Sequence, residues 1–179
     1  MLNRIDDFLI GAAGRAAGWA EDRFEITLPA LLRECLTAAM VAYFGVVLKL
    51  LLSGSFLSAL IILATLPIAA PTTLKQLRRY QTDAQKPWSS DLARSYMARA
   101  IGRRESMRTA RGITFVLTIF VTALNATTIV SGRFEPSAYI FAAFWLVALA
   151  HEYLSAAEPL PPGQRRRQAS LTLATHSAQ

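Results

Sequence analysis

Residues 75–111, KQLRRYQTDAQKPWSSDLARSYMARAIGRRESMRTAR, carry ten Lys and Arg against Asp83, Asp91 and Glu105 alone. Long stretches almost free of charge lie on both sides. A basic block between two apolar pairs fits the rule that Lys and Arg accumulate in short cytoplasmic loops of membrane proteins. The reading of this stretch decides the rest. The chain is expected to be an all-α polytopic membrane protein, with four transmembrane helices arranged as two antiparallel hairpins. An N-terminal amphipathic helix and a basic, helical cytoplasmic loop complete it.

Working outward on the N-terminal side, Phe56 to Leu74 (FLSALIILATLPIAAPTTL) has no charged residue, and Cys35 to Ser53 carries only Lys49. Nineteen residues at 1.5 Å rise span about 28 Å, close to the hydrocarbon thickness of a bilayer. Ser53, Gly54 and Ser55 form a turn short enough to force antiparallel neighbours. Thr27, Leu28 and Pro29 mark a helix start, since proline is tolerated in a first turn. Pro67 and Pro71 each remove a backbone donor and leave the carbonyls of Leu63 and Pro67 without their helical partners. They are read first as a tolerated kink or an early helix end, with a hinge, or a site where the freed carbonyls meet an ion, as the sharper alternative.

On the other side, Gly112 to Gly132 is 21 residues without a charge. Thr114, Thr118, Thr122 and Asn125 fall at steps of four, four and three on one face, which suits a helix-packing seam or a polar permeation path. SGRFEPS at 131–137 turns the chain, and a fourth span runs from Ala138 to Tyr153. SGSFLSALI at 53–61 and SGRFEPSAYI at 131–140 align with one insertion, the pattern a duplicated hairpin would leave. His151 and Glu152 near the end of the fourth span, with Lys49 in the first, are the ionisable residues at or near membrane depth, and such residues are functional candidates. Their positions near span ends allow contact with water or headgroups.

Inside the basic block, Ser89, Ser90 or Asp91 can cap a helix after Pro87-Trp88, with Leu92, Tyr96 and Ala100 following at four-residue steps. Arg78, Arg79, Arg94, Arg99, Arg103, Arg104 and Arg108 are the expected contacts to lipid headgroups or a partner, each basic residue near an anionic surface contributing about 1 kcal/mol. Nucleic acid is disfavoured as a partner, because Trp88, Tyr80 and Tyr96 sit in no recognised binding motif. The opening segment places Ile5, Phe8, Leu9, Ala12, Ala16, Trp19, Ala20 and Phe24 on one helical face, opposite Asp6, Asp7, Arg15, Glu21 and Asp22. It is read as an interfacial helix or as one packed on the basic loop, and it lacks the pattern of a signal peptide.

Composition agrees with a membrane setting. Of 179 residues 53% are hydrophobic and 17% charged, against about 25% charged in a typical soluble domain. The net charge of +7 sits beside apolar spans. Seventeen of the nineteen Lys and Arg fall in the N-terminal part, the central loop and the tail, leaving Lys49 and Arg133 on the opposite side. Both termini are therefore expected in the cytoplasm. Sixteen Arg to three Lys, with abundant Ala, suggests a GC-rich bacterial genome and hence an inner (plasma) membrane.

The single cysteine, Cys35, excludes an intramolecular disulfide and cysteine-rich zinc chemistry. Two histidines cannot supply paired axial haem ligands across the membrane. There is no HExxH helix, no GxSxG elbow and no P-loop, and no catalytic, metal or cofactor site is expected. The organisation read from this is an amphipathic segment (1–34), a first hairpin (35–74), the basic loop (75–111), a second hairpin (112–155) and a disordered tail (156–179). The expected function is a non-catalytic scaffold or accessory subunit of a larger inner-membrane assembly, its partners the bilayer and other membrane proteins or itself. The alternative is a small oligomeric channel or transporter using the threonine face.

Overall fold

A computed structural model of the chain describes residues 2–130 and 136–159. Among these the structure is all-helical: α1 (Leu2–Phe24), α2 (Leu28–Leu52), α3 (Phe56–Leu63), α4 (Leu66–Ala84), α5 (Ser90–Ser106), α6 (Arg108–Val130) and α7 (Pro136–Ala156). Three stretches are long and apolar enough to cross a membrane, Leu28–Leu52, Arg108–Ala126 and Tyr139–Ala156.

Three such helices replace the four expected from sequence. The second expected span, 56–74, is divided at Ala64-Thr65 between α3 and α4. The cause is local. Pro67 has no N–H to offer the carbonyl of Leu63, so the helical ladder cannot continue across this point. The carbonyl of Ile62 is taken instead by the Tyr43 hydroxyl at 2.6 Å, the Thr65 hydroxyl at 2.7 Å and the Thr65 amide at 3.0 Å. The prolines end one helix and start the next, Pro67 in the first turn of α4 and Pro71 inside it.

Helix α2 packs antiparallel to α4 and α7. Leu32, early in α2, clusters with Tyr80, late in α4, and with Leu154, late in α7. Halfway along α2, Tyr43 meets the α3 end and lies 6.1 Å ring to ring from Phe144 of α7. Gly45 lets α2 and α7 approach closely, since a Cβ there would stand 3.3 Å from Ile140. Thr118 of α6 pairs with Trp145 of α7. Helix α7 touches α1, α2, α5 and α6 and is the centre of the molecule.

The starts of α2 and α6 and the ends of α4 and α7 gather at one end, where α1 and α5 cover them. The hydrophobic core lies there, in Ala17, Leu28, Leu32, Leu36, Tyr80, Tyr96 and Leu154 with Trp88 and Leu92 against it. By contrast only 17%, 17% and 22% of the three spans is buried within the chain. Phe44, Leu48, Leu52, Val116, Phe120, Leu124 and Leu146 are exposed along them. Such a surface is unsuited to water and suited to hydrocarbon. The described residues form a packed cap on a set of helices whose apolar flanks are uncovered.

Helix α5 forms where the basic block was expected to contain a helix. The Ser89 hydroxyl caps it by accepting from the Leu92 amide at 3.3 Å, and Ala93, Tyr96 and Ala100 are buried at its inner face. The single apolar face expected of helix α1 is split. The face turned to the protein is Asp6, Ile10, Ala13, Ala17 and Ala20, with Ala17 and Ala20 at 7% exposure, whereas Phe8, Trp19 and Phe24 point outward. Small residues permit close approach to α7, and Gly14 faces Ala157. The large aromatics cannot fit that narrow seam.

The start of the expected disordered tail is packed: Ala156 and Ala157 are buried and Arg104 pairs with Glu158 at 2.8 Å. The rest of that tail, from 160 on, and the 131–135 part of the turn on which the duplicated-hairpin reading rests lie outside the described residues.

Candidate functional site: the charged cap

Two charge nodes hold the cap together. The first joins α1, α5 and α6. Arg111, at the start of α6, is 1% exposed and uses its whole guanidinium. Nε donates to Asp6 Oδ1 at 3.0 Å and Nη2 to Asp6 Oδ2 at 2.8 Å. Nη1 donates to the Arg103 carbonyl at 3.0 Å and Nη2 also to the Arg104 carbonyl at 2.8 Å. Arg111 thus caps the last turn of α5, sharing the Arg103 carbonyl with the Met107 amide, and pins α1 with a bidentate pair. The hydrogen bond from Arg111 holds the Asp6 carboxyl below its ordinary value, against the opposing effect of burial.

The second node joins α4 and α5. Asp83, 7% exposed, accepts from the Tyr96 hydroxyl at 3.1 Å and from Lys86 at 3.0 Å. Arg79 and Arg99 stand further off, at 3.8 and 3.9 Å. The Arg99 guanidinium also lies 5.0 Å over the Tyr96 ring. Burial first, then the Asp83 charge, push the Tyr96 phenol well above its ordinary value. Arg103 reaches the Tyr80 hydroxyl at 3.4 Å, and Tyr80 in turn lies edge-on to the His151 ring at 6.0 Å.

The arginines expected at headgroups or a partner take different positions. Arg78, Arg94 and Arg108 are exposed, with Arg94 paired to Asp91. Arg79, Arg99 and Arg103 converge on the second node. Arg104 turns inward to the Ala156 carbonyl at 3.3 Å and to Glu158. His151 is buried and Glu152 half-buried, both at the cap end of α7, while Lys49 is half-buried at the far end of α2.

The threonine face is divided by its surroundings. Thr118 is buried, and its hydroxyl donates to the Thr114 carbonyl at 2.7 Å and reaches the Trp145 carbonyl of α7 at 3.3 Å. Thr122 is exposed, and Thr114 and Asn125 are half-buried. Pro67 and Pro71 lie beside an apolar groove of about 420 Å3 between α2, α4 and α7, lined by Met40, Tyr43, Thr65, Ala69, Thr73 and Phe144. Among the described residues no three His, Cys, Asp or Glu side chains gather in a metal-binding group.

Sequence reasoning missed Asp6, Arg111, Tyr80, Tyr96 and Asp83 as site residues. Asp6 shared a signal with its buried neighbours, the 6, 10, 13, 17, 20 spacing, which is helical and otherwise made of Ile and Ala. Nothing in the sequence separated Arg111 from Arg108. No protein-family model, curated protein or solved structure matches this chain.

Proposed function

We propose that this protein is a non-catalytic integral membrane scaffold or accessory subunit of a larger membrane assembly. The observation that carries the reading is the outward aromatic face of a firmly held helix. Phe8, Trp19 and Phe24 are 65%, 63% and 55% exposed, with Trp19 and Phe24 packed edge to face at 5.1 Å, while Asp6–Arg111 fixes α1 to the cap. Aromatic side chains in such a setting are suited to a partner protein or to the headgroup layer. The bonding of Thr118 to α7 favours a packing role for that face over a permeation path.

In this reading α3 and α4 together form a fourth, broken crossing beside α2, which returns the chain to the cap side. The cap, with both termini, faces the cytoplasm of a bacterial inner membrane, in keeping with the distribution of Lys and Arg. Purification of a tagged copy from its native host in mild detergent, followed by mass spectrometry, tests the role. Stoichiometric companion proteins that are lost with Trp19→Ala/Phe24→Ala are expected. A clean homo-oligomer that conducts ions or solutes in liposomes would overturn the reading.

A further inference from the structure

Arg79 from α4 and Arg99 and Arg103 from α5 line one cavity of about 30 Å3, together with Leu28 and Leu32 of α2 and Ser155. Their counter-charges are few. Asp83 is already engaged by Lys86 and Tyr96, and stands 3.8 and 3.9 Å from Arg79 and Arg99, beyond good hydrogen-bonding distance. Glu152 lies within Coulombic range of Arg103. Four cations (Arg79, Lys86, Arg99, Arg103) against two carboxylates leave a local excess of two positive charges. Nη1 of Arg99 is buried and has no hydrogen-bond partner. A buried charged donor without an acceptor is costly.

Leu28, in the first turn of α2, also borders the cavity, and Thr27 gives that helix no side-chain cap. Guanidinium groups in a fork are matched to phosphate oxygens. A space of this size holds about one water or one oxygen atom of a larger group.

We propose that Arg79, Arg99 and Arg103 form a phosphate-binding site, one phosphate oxygen entering the cavity to meet Arg99 Nη1 and the rest of the group resting at its mouth. The phosphate belongs to an anionic phospholipid headgroup or to free inorganic phosphate. The site lies beside the start of α2 and the end of α7, where two of the candidate membrane spans meet the cap, which is headgroup depth if those helices cross a bilayer. It is a discrete site, distinct from diffuse attraction of a basic loop to a charged surface, and does not depend on the scaffold role.

The test is native mass spectrometry of the delipidated full chain with three probes: phosphatidylglycerol, a phosphate-free galactosyl diacylglycerol of the same acyl chains, and inorganic phosphate. The expected result is one phosphatidylglycerol per chain, no equivalent retention of the galactolipid, and at least a tenfold loss of occupancy in Arg99→Gln/Arg103→Gln. Arg94→Gln, on the exposed side of α5, retains it. Binding of inorganic phosphate with the same arginine dependence, and without lipid retention, supports the site and assigns the free ion as its source. Should the double variant fail to fold, Arg79→Gln, whose side chain is nearly half exposed, carries the test with a several-fold loss. Equal occupancy in the variants, or no phosphate bound by any probe, overturns the proposal and leaves a cavity for water alone.

Discussion

Arg111 satisfies four acceptors on two other helices with one guanidinium. Its removal takes the bidentate donor from the Asp6 carboxylate and one donor from each of two helix-end carbonyls. Breaking a buried pair from one side costs about 3–5 kcal/mol, so Arg111→Ala is expected to unfold the cap, seen as a large fall in the detergent melting temperature. Arg111→Lys keeps the charge but cannot reach all four acceptors, and an intermediate loss is expected. The pH dependence follows from Asp6. Its folded carboxyl titrates below the ordinary 3.8, so folding favours the charged form. The stabilisation is complete above that value and is lost as pH falls through the lower folded value. Detachment of α1 in acid, read by Trp19 fluorescence, should vanish in Asp6→Asn. Tyr96 has the opposite sign. Its raised phenol supports Asp83 fully below the ordinary value of 10 and ceases to do so as pH climbs through the folded one.

Two elements depart from the simplest reading of their sequences, each for a backbone reason. The α1–α2 connection places Glu25 at φ 57°, a left-handed conformation that costs a residue with a Cβ about 1–2 kcal/mol relative to glycine. It closes α1 through bonds from the Glu25 and Ile26 amides to Glu21 and Ala20. Glu25 is exposed, so Glu25→Gly should raise stability by about 1 kcal/mol in thermal unfolding. In the α3–α4 break, Pro67 is decisive and Tyr43 secures the neighbouring carbonyl of Ile62. Pro67→Ala restores a donor for Leu63, and hydrogen exchange is expected to find the new amide at position 67 protected. The missing donor was legible from Pro67 alone. The Tyr43 donor to Ile62 was not, because Tyr43 lies 24 residues before Pro67 and meets Ile62 only once α2 and α3 pack. The α5 cap was legible because Ser89 acts within its own turn. The α1 face was not, because outward aromatics and inward alanines share nearly the same periodicity and only the width of the seam beside α7 selects between them.

The whole molecule divides into a well-packed cap and sparsely buried helices. Hydropathy made the apolar stretches visible, and the charge pattern marked residues 75–111 as the segment between them. What composition could not show is that this basic segment is part of the core. Tyr96, Ala93 and Ala100 are buried at the inner face of α5, and Arg103, Arg104 and Arg111 bond to other helices in the cap. That arrangement requires the ends of α2, α4, α6 and α7 to meet, a tertiary fact with no local signature. In the proposed arrangement these helix termini share one side of a membrane, with the α2–α3 turn on the other. An impermeant maleimide applied to sealed, oriented vesicles probes it, with single cysteines at Ser53, Gln85 or Arg94 in a Cys35→Ala background. Gln85→Cys and Arg94→Cys are expected to label from one face and Ser53→Cys only from the opposite face. Labelling of all three from the same face would contradict it.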